Sequence, residues 1–259
     1  MNDALRAEWT KLRTVASTGW LLLGAVAVTI AVSVITSSAL SCTSSAGCHP
    51  DVTKLSLTGV DVGQAIVAVV AVLAVTGEYS TGLIRTTLTA MPRRGTVLAA
   101  KAAVVTGPVL AAGAAAVLGS VLAGRLILPG HGYSPAHGYP GLSLGDGVVL
   151  RAAAGSVLYL ALIALLSLGV ATAVRDSGAA TGIILGLLYL FPILGQVIGS
   201  PSWQRHLEQI GPMTAGTQIQ ASTGLGTLPI SPWAGLGVLA AWAAAALLAG
   251  GLLLRLRDA

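Results

Sequence analysis

Long apolar runs dominate this sequence and restrict what it can fold into. Helices that cross the hydrocarbon core of a bilayer need about 20 mostly apolar residues. Six stretches have that length and composition: residues 19–40, 60–76, 97–124, 148–174, 179–199 and 233–254. Only 9% of the 259 residues are charged, which is too few to cover the surface of a soluble domain. The pattern predicts an all-α, polytopic membrane protein whose six transmembrane helices form one transmembrane domain.

The distribution of basic residues predicts how these spans are oriented. Six spans place both termini on the same side of the membrane. The segments on that side hold ten of the 14 Lys and Arg residues, namely Arg6, Lys11, Arg13, Arg85, Arg93, Arg94, Lys101, Arg175, Arg255 and Arg257. Cytoplasmic loops carry such an excess, so we expect a multi-pass protein of the cytoplasmic membrane with both termini in the cytoplasm. The same excess accounts for the net charge of +5, and no nucleic-acid partner is expected.

The segment before the first span has the pattern of a helix that lies in the membrane interface. Residues 2–17 place apolar side chains on one helical face and charged side chains over the rest. The apolar face holds Leu5, Trp9, Leu12 and Ala16, and the charged residues are Arg6, Glu8, Lys11 and Arg13. Trp9 and Trp20 are suited to anchor the segment at the interface. The alternative is an ordinary basic flank of the first span.

The segments predicted on the outer side offer few chemical groups. Cys42 and Cys48 lie in a short loop, where an oxidising compartment would allow a disulfide; the alternative is two free thiols. Together with His49 they make an incomplete set of zinc ligands. His131 and His137 lie in a loop rich in Gly and Pro, where histidines are more often solvated. We therefore predict no metal site.

Several kinds of chemistry lack their motifs in this chain. The sequence contains no GxxxxGKS or GxxxxGKT loop for a nucleotide phosphate and no HExxH metal motif. The predicted spans are almost free of ionisable residues, which membrane-embedded catalysis would need. We therefore expect a transport subunit and not an enzyme, with no cofactor on this chain.

The polar segment between the second and third predicted spans is the most informative one. Residues 77–101 read GEYSTGLIRTTLTAMPRRGTVLAAK and concentrate charge in an apolar chain. If residues 80–90 are helical, Leu83 and Thr87 share a face that can pack into a groove. Arg85 can then reach an acidic partner.

Two arginines near the end of this segment have two possible roles. Pro92 would stop the helix, because the residue before a proline is biased away from the helical region. Arg93 and Arg94 then follow, and they can contact a partner protein. The alternative is that they bind the headgroups of anionic membrane lipid.

Two stretches of the sequence resemble a known family. The N-terminal AEWTKLRTVASTGWLLL and the later EYSTGLIRTTLTAMPRRGTVLAAKAAV are similar to membrane (permease) subunits of ABC transporters of the type-2 exporter class. The resemblance implies a six-helix domain that pairs with a second permease chain, as a homodimer or heterodimer, on two copies of a separate ABC ATPase subunit. ATP and magnesium would belong to that ATPase.

The resemblance also implies a role for residues 77–96. In that family the loop between the second and third spans forms a cytoplasmic coupling helix, which docks in a groove of the ATPase. Carried onto this sequence, the coupling residues are Glu78, Tyr79, Leu83, Arg85, Thr87, Arg93 and Arg94.

Small and polar residues within the spans suggest a packing face and a pathway. Glycines four apart permit close helix approach, and the fifth span carries Gly178, Gly182 and Gly186, then Gly195 and Gly199. They predict a helix-packing or dimer face, although the chain has 33 glycines and such spacings also arise by chance. The residues that could line a pathway are Thr29, Ser33, Thr36, Tyr189 and Gln196. The alternative is that the hydroxyl groups bond to carbonyls of their own helix.

Together with these patterns, the resemblance implies a permease that exports a hydrophobic or amphipathic compound, such as a drug, a lipid-like molecule or a peptide. The sparse polarity of the spans argues against an ion as cargo. The alternative function is a non-transporting membrane scaffold for an ATPase, such as an immunity or sensory subunit.

Overall fold

Helices make up almost all of the structure. The computed structural model describes residues 2–14, 16–40, 50–83, 94–134, 139 and 141–256, and no β-strand occurs among them. The α-helices are α1 (Asn2–Thr14), α2 (Ala16–Ala39), α3 (Val52–Ser56), α4 (Val60–Ser80), α5 (Arg94–Ile127), α6 (Gly147–Val174), α7 (Ser177–Val197), α8 (Pro201–Ile210), α9 (Pro212–Gly216) and α10 (Pro232–Leu256).

Six of these helices are long and apolar enough to cross a membrane, namely α2, α4, α5, α6, α7 and α10. The predicted all-α, polytopic membrane fold is confirmed. The helix bounds differ from the apolar runs at one place in particular. α4 continues to Ser80 and α5 begins at Arg94, so both helices extend into the segment that was predicted as a loop.

Two helices form the centre of the bundle. Of the most apolar 18 residues of each helix, 56% are buried in α4 and 61% in α6, against 17% in α2 and 17% in α7. α6 makes its most extensive contact with α10, and α4 packs between α2 and α6. The outer helices therefore present most of their apolar side chains away from the chain, as helices that face lipid do.

Close contacts between helices depend on glycines of the central helices α4 and α6. A Cβ atom at Gly63 of α4 would lie 2.0 Å from the hydroxyl oxygen of Thr29 in α2, and one at Gly169 of α6 would lie 2.5 Å from the backbone of Ala246 in α10. Only glycine allows the two backbones to approach this closely.

The two ends of the bundle are named here by their residues. The motif end is where α4 ends at Ser80, α5 begins at Arg94 and α10 ends at Leu256. The loop end is the opposite one, where Asp51 and α3 precede α4 and where residues 221–231 precede α10.

Candidate functional site

Four charged side chains form a buried network at the motif end. The ammonium nitrogen of Lys101 lies 2.7 Å from Glu8 Oε2 and 2.9 Å from Glu78 Oε1. The ammonium nitrogen of Lys11 lies 3.0 Å from Glu78 Oε1 and 3.2 Å from Glu8 Oε1. Each carboxylate therefore contacts both ammonium groups, and we call these four residues the ion network.

Three helices supply the ion network. Glu8 and Lys11 lie three residues apart and so share a face of α1, Glu78 is in the last turn of α4, and Lys101 lies two turns into α5. α1 turns this charged face towards the bundle, while Trp9 on its apolar face is 49% exposed. Trp9 is thus directed away from the rest of the chain, as expected for a helix in the membrane interface.

The network is buried, and its charges compensate one another. Glu8, Glu78 and Lys101 are only 4%, 8% and 5% exposed, and buried charges are stable only when they are paired. Lys101 also donates to the carbonyl oxygen of Ala74 at 3.3 Å, so all three of its N–H groups have acceptors. Glu78 Oε2, in contrast, is buried without a hydrogen-bond partner.

Glu8 and Lys11 both lie in α1, outside the spanning helices. Of the two, Lys11 is the one whose side chain reaches solvent. Partial burial lowers the pKa of its ammonium group, but the hydrogen bonds and charges of Glu78 and Glu8 outweigh that effect, so the net pKa lies above its ordinary value. Lys11 therefore stays charged at neutral pH.

Two arginines at the motif end form hydrogen bonds with the last turn of α10. Arg94 donates to the carbonyl oxygen of Leu254, and Arg175 donates to that of Leu253 at 3.4 Å. Cations are favourable at the carbonyl end of a helix. Arg175 also lies 5.4 Å above the ring of Tyr79, which ties α4 to the same cluster.

The structure assigns the predicted coupling residues to different environments. Glu78 and Tyr79 belong to the last turn of α4 and contact other helices of the chain, and Arg94 is the first residue of α5. Leu83 lies just beyond α4 and is 49% exposed. The remaining three, Arg85, Thr87 and Arg93, lie outside the described residues.

A cavity of about 430 Å³ adjoins the ion network; we call it the motif-end cavity. Its walls are mainly apolar side chains of α2, α4 and α5, including Leu21, Val70, Leu73 and Val104. All four residues of the ion network line it as well. Cavities of this size can accommodate a small organic molecule.

Residues predicted to line a pathway make hydrogen bonds within the chain. Thr29 and Thr36 donate to the carbonyls of Ala25 and Val32 in their own helix, at 2.7 and 2.8 Å. Ser33 accepts from the backbone N–H of Gly59, and the hydroxyl of Tyr189 donates to the carbonyl of Asp61. Gln196 is exposed. A pathway through these positions stays a prediction.

The glycines of α7 are not used for packing within the described part of the chain. A Cβ atom at Gly182, Gly186, Gly195 or Gly199 would meet nothing within 4 Å, and one at Gly178 would lie 3.5 Å from Asp176. These positions are therefore not packed against the described part of the chain, and the dimer face stays a prediction. Cys42 and Cys48, the predicted disulfide, lie outside the described residues.

At the loop end, one carboxylate joins two segments that are far apart in sequence. Asp51 accepts from the backbone N–H of Lys54, which caps α3, and from the N–H and hydroxyl of Ser222 and the N–H of Thr223. Burial raises the pKa of this carboxyl, but these hydrogen bonds outweigh it and hold the pKa below its ordinary value.

Glu78 is an ionisable group of the bundle that the sequence analysis places in a loop, whereas Asp61 and Lys101 already lie within the predicted spans 60–76 and 97–124. The expectation that the spans are almost free of such groups is incomplete, because Asp61, Glu78 and Lys101 all belong to spanning helices. Asp61 Oδ1 is buried without a hydrogen-bond partner. The charged face of α1 was visible in the sequence, but its partner 93 residues away at Lys101 was not.

Comparison with known proteins adds no family to this description. No family model matches the chain, and no curated protein matches it. The resemblance to permease subunits therefore stays a prediction that depends on residues 7–23 and 78–104.

Proposed function

We propose that this chain is the permease subunit of an ATP-driven exporter, which moves a hydrophobic or amphipathic compound out across the cytoplasmic membrane. A separate ABC ATPase subunit would dock on residues 77–96 and would hold the ATP and magnesium, with two copies of it for the pair of permease chains. The observation that supports this proposal is the ion network, because it joins the two helices that flank this loop to each other and to α1.

The network gives the loop a mechanical connection to the spanning helices. Residues 77–96 begin in the last turns of α4 and end in the first turn of α5. Glu78 and Lys101 are held 2.9 Å apart, so a displacement of the loop would move the ends of both helices, and α1 with them. Movement of this kind is what alternating access between two conformations requires.

A second permease chain would pack against α7 at Gly182 and Gly186, where this chain has no atom within 4 Å of an added Cβ. Replacing Gly186 with Leu introduces a side chain where this chain has no atom within 4 Å. We expect Gly186→Leu to reduce the dimer fraction in detergent without changing the unfolding temperature. Gly169→Leu is the comparison, because its side chain would collide with α10 and should destabilise the fold itself.

The docking of the ATPase can be tested at Leu83, an exposed apolar residue in the described part of the loop. The test uses an ABC ATPase encoded beside this chain, with binding measured on the full chain in lipid nanodiscs. Leu83→Asp should weaken binding by about tenfold or more, since apolar anchors dominate such interfaces. Leu225→Asp is the matched control, because Leu225 is 42% exposed at the loop end.

The outcomes separate this proposal from its alternatives. If Leu83→Asp and Leu225→Asp bind the ATPase equally well, the docking assignment is wrong. An ATPase that binds the chain but gains no hydrolysis or transport with any hydrophobic cargo points instead to a non-transporting scaffold. Hydrolysis of ATP by the purified chain alone contradicts both.

A further inference from the structure

The motif-end cavity combines an apolar wall with an unsatisfied carboxylate oxygen. Glu78 lines this cavity and is only 8% exposed, and its Oε2 has no hydrogen-bond partner. A carboxylate oxygen that is removed from water without a donor is unfavourable. A buried ionisable group that lacks a complete set of hydrogen-bond partners is a candidate for a functional site.

The free hydrogen-bonding capacity of the ion network selects the kind of group that can bind. All three N–H groups of Lys101 are used, on Glu8, Glu78 and the carbonyl of Ala74. The ammonium of Lys11 already contacts both carboxylates. What remains is an oxygen that can accept a hydrogen bond. Glu78 Oε1 accepts from both ammonium groups, and Glu78 Oε2 accepts from neither.

This imbalance favours a donor over an acceptor. An anionic headgroup would meet two carboxylates and no unused N–H of Lys101, whereas an ammonium group would supply a charge-assisted hydrogen bond to Glu78 Oε2. The preference comes from unfilled acceptor positions, since the two Glu and two Lys side chains cancel in formal charge.

The rest of the cavity suits an apolar body. Leu21, Val70, Leu73 and Val104 line it along three spanning helices, and its volume is about 430 Å³. Mostly apolar lining with one polar anchor is the usual composition of a site for a small amphipathic molecule.

We propose that the motif-end cavity binds an amphipathic compound with a primary ammonium group, which lies at Glu78 while the apolar part lies along α4 and α5. The site consists of residues of this chain alone, so the proposal stands or fails independently of any ATPase partner. The same chemistry occurs in free lipophilic amines and in lipids with an ethanolamine headgroup.

Binding can be measured with dodecylamine as the probe. The full chain is placed in phosphatidylcholine nanodiscs, and binding of radiolabelled dodecylamine is measured after subtraction of empty nanodiscs. Dodecanoate and dodecyltrimethylammonium have the same chain length, but the first has the opposite charge and the second has no N–H donor. We expect saturable binding of dodecylamine and binding at least about tenfold weaker for the other two.

Two variants test the cavity in different ways, one by changing its charge and one by filling its volume. Glu78→Gln removes the charge of the acceptor and should weaken dodecylamine binding by about tenfold. Gly77→Leu leaves all four charges in place and fills the cavity, because Gly77 lines it and a Cβ there meets no atom within 4 Å. It should reduce binding to a similar extent, even if Glu78→Gln proves poorly folded.

Each variant has a matched control. Glu208→Gln makes the same chemical change in α8, and Gly107→Leu makes the same change at a helical glycine of α5 that also has no neighbour within 4 Å. Both should bind dodecylamine like the wild type. Competition by phosphatidylethanolamine added to the nanodiscs identifies a lipid headgroup as the source, and no competition identifies a free amine.

Two results would overturn the proposal. The first is equal binding of dodecylamine and dodecanoate, which would indicate simple partition into the apolar wall. The second is a Gly77→Leu variant that binds dodecylamine as well as Gly107→Leu does, which would locate the amine outside this cavity.

Discussion

At the motif end, the carboxylates of Glu8 and Glu78 lie against the ammonium groups of Lys11 and Lys101. At the loop end, the carboxylate of Asp51 is held by backbone N–H groups and a hydroxyl, with no cation among its hydrogen-bond donors. Both arrangements join segments that are distant in sequence. They differ in the groups that lose their partner when one side chain is removed: charged groups at the motif end and neutral groups at the loop end.

That difference sets how sensitive each end is to substitution. Removing the buried Lys101 from the motif end leaves the buried carboxylates of Glu8 and Glu78 with only the more exposed ammonium group of Lys11 between them, which is strongly unfavourable. Removing Asp51 leaves neutral N–H groups, which water can satisfy where the segment is exposed. The motif end is therefore the more fragile of the two, and it is also the end where the proposed functions are concentrated.

The largest expected effect is that of Lys101→Met. It removes the buried cation that contacts both Glu8 and Glu78, and breaking a buried ion pair costs about 3–5 kcal/mol. The free energy of unfolding, measured by reversible titration with SDS in mixed micelles, should fall by that amount. Lys54→Met is the control, since Lys54 is exposed at the loop end and its loss should change little. Equal effects of the two variants would contradict a buried network.

A smaller effect is expected for Asp51→Ala at the loop end. Asp51 both caps α3 and holds Ser222 and Thr223, and we expect a loss of about 2–3 kcal/mol in the same titration. Asp146→Ala is the matched comparison, because Asp146 caps α6 through the N–H of Val148 and should lose only about 1 kcal/mol. If the two variants are equally destabilised, the contact between Asp51 and Ser222 contributes nothing.

The charge of Asp51 predicts a response to acid. Because its folded pKa lies below the ordinary value of 3.8, its stabilisation is complete above that pH and is lost as the pH falls through the folded pKa. We expect Asp51→Asn to be about 1 kcal/mol less stable than the wild type at pH 7, with a smaller difference at pH 3. Unfolding temperatures of both proteins at pH 7 and pH 3 test this, and a constant difference would contradict it.

Hydropathy was sufficient to predict the six spanning helices, because each needs only a long apolar run. It failed at the end of α4. The predicted span stopped at Thr76, since Glu78 reads as the start of a loop, yet the helix continues to Ser80. Glu78 can remain in the helix because Lys11 and Lys101 compensate its charge, and neither partner can be identified from local sequence.

Helix packing was harder to predict than helix position. The regular glycine spacing in α7 suggested a packing face, but close contacts within the chain occur at other glycines. Gly59 and Gly63, which are also four apart, both meet Thr29 of α2, and Gly169 meets Ala246 of α10. Spacing alone does not show whether a given glycine packs against a neighbour, because Gly182 and Gly186 have the same spacing and meet nothing within 4 Å. Whether a glycine is needed depends on the residue opposite, such as Thr29, and that residue is known only once the helices are arranged in space.

The candidate site was only partly predictable for the same reason. The amphipathic pattern of α1 indicated a charged face with Glu8 and Lys11, but an interfacial helix with that face in water has the same pattern. Instead Glu8 is 4% exposed and Trp9 is 49% exposed. The inward direction of the charged face depends on Lys101, whose contact with Glu8 spans 93 residues.

The smallest expected effect is that of Lys11→Met, which separates the two lysines of the ion network. The side chain of Lys11 is 36% exposed, against 6% for Lys101, so solvent screens its ion pairs and we expect a loss of at most about 1 kcal/mol. The folded pKa of Lys11 lies above its ordinary value of 10.5. Its contribution is therefore complete below that pH and is lost as the pH rises through the folded pKa, opposite to the response of Asp51. Unfolding temperatures of the wild type and Lys11→Met at pH 7 and pH 11.5 should differ slightly at the first pH and by less at the second. A loss as large as that of Lys101→Met at pH 7 would mean that Lys11 is the cation on which the network depends.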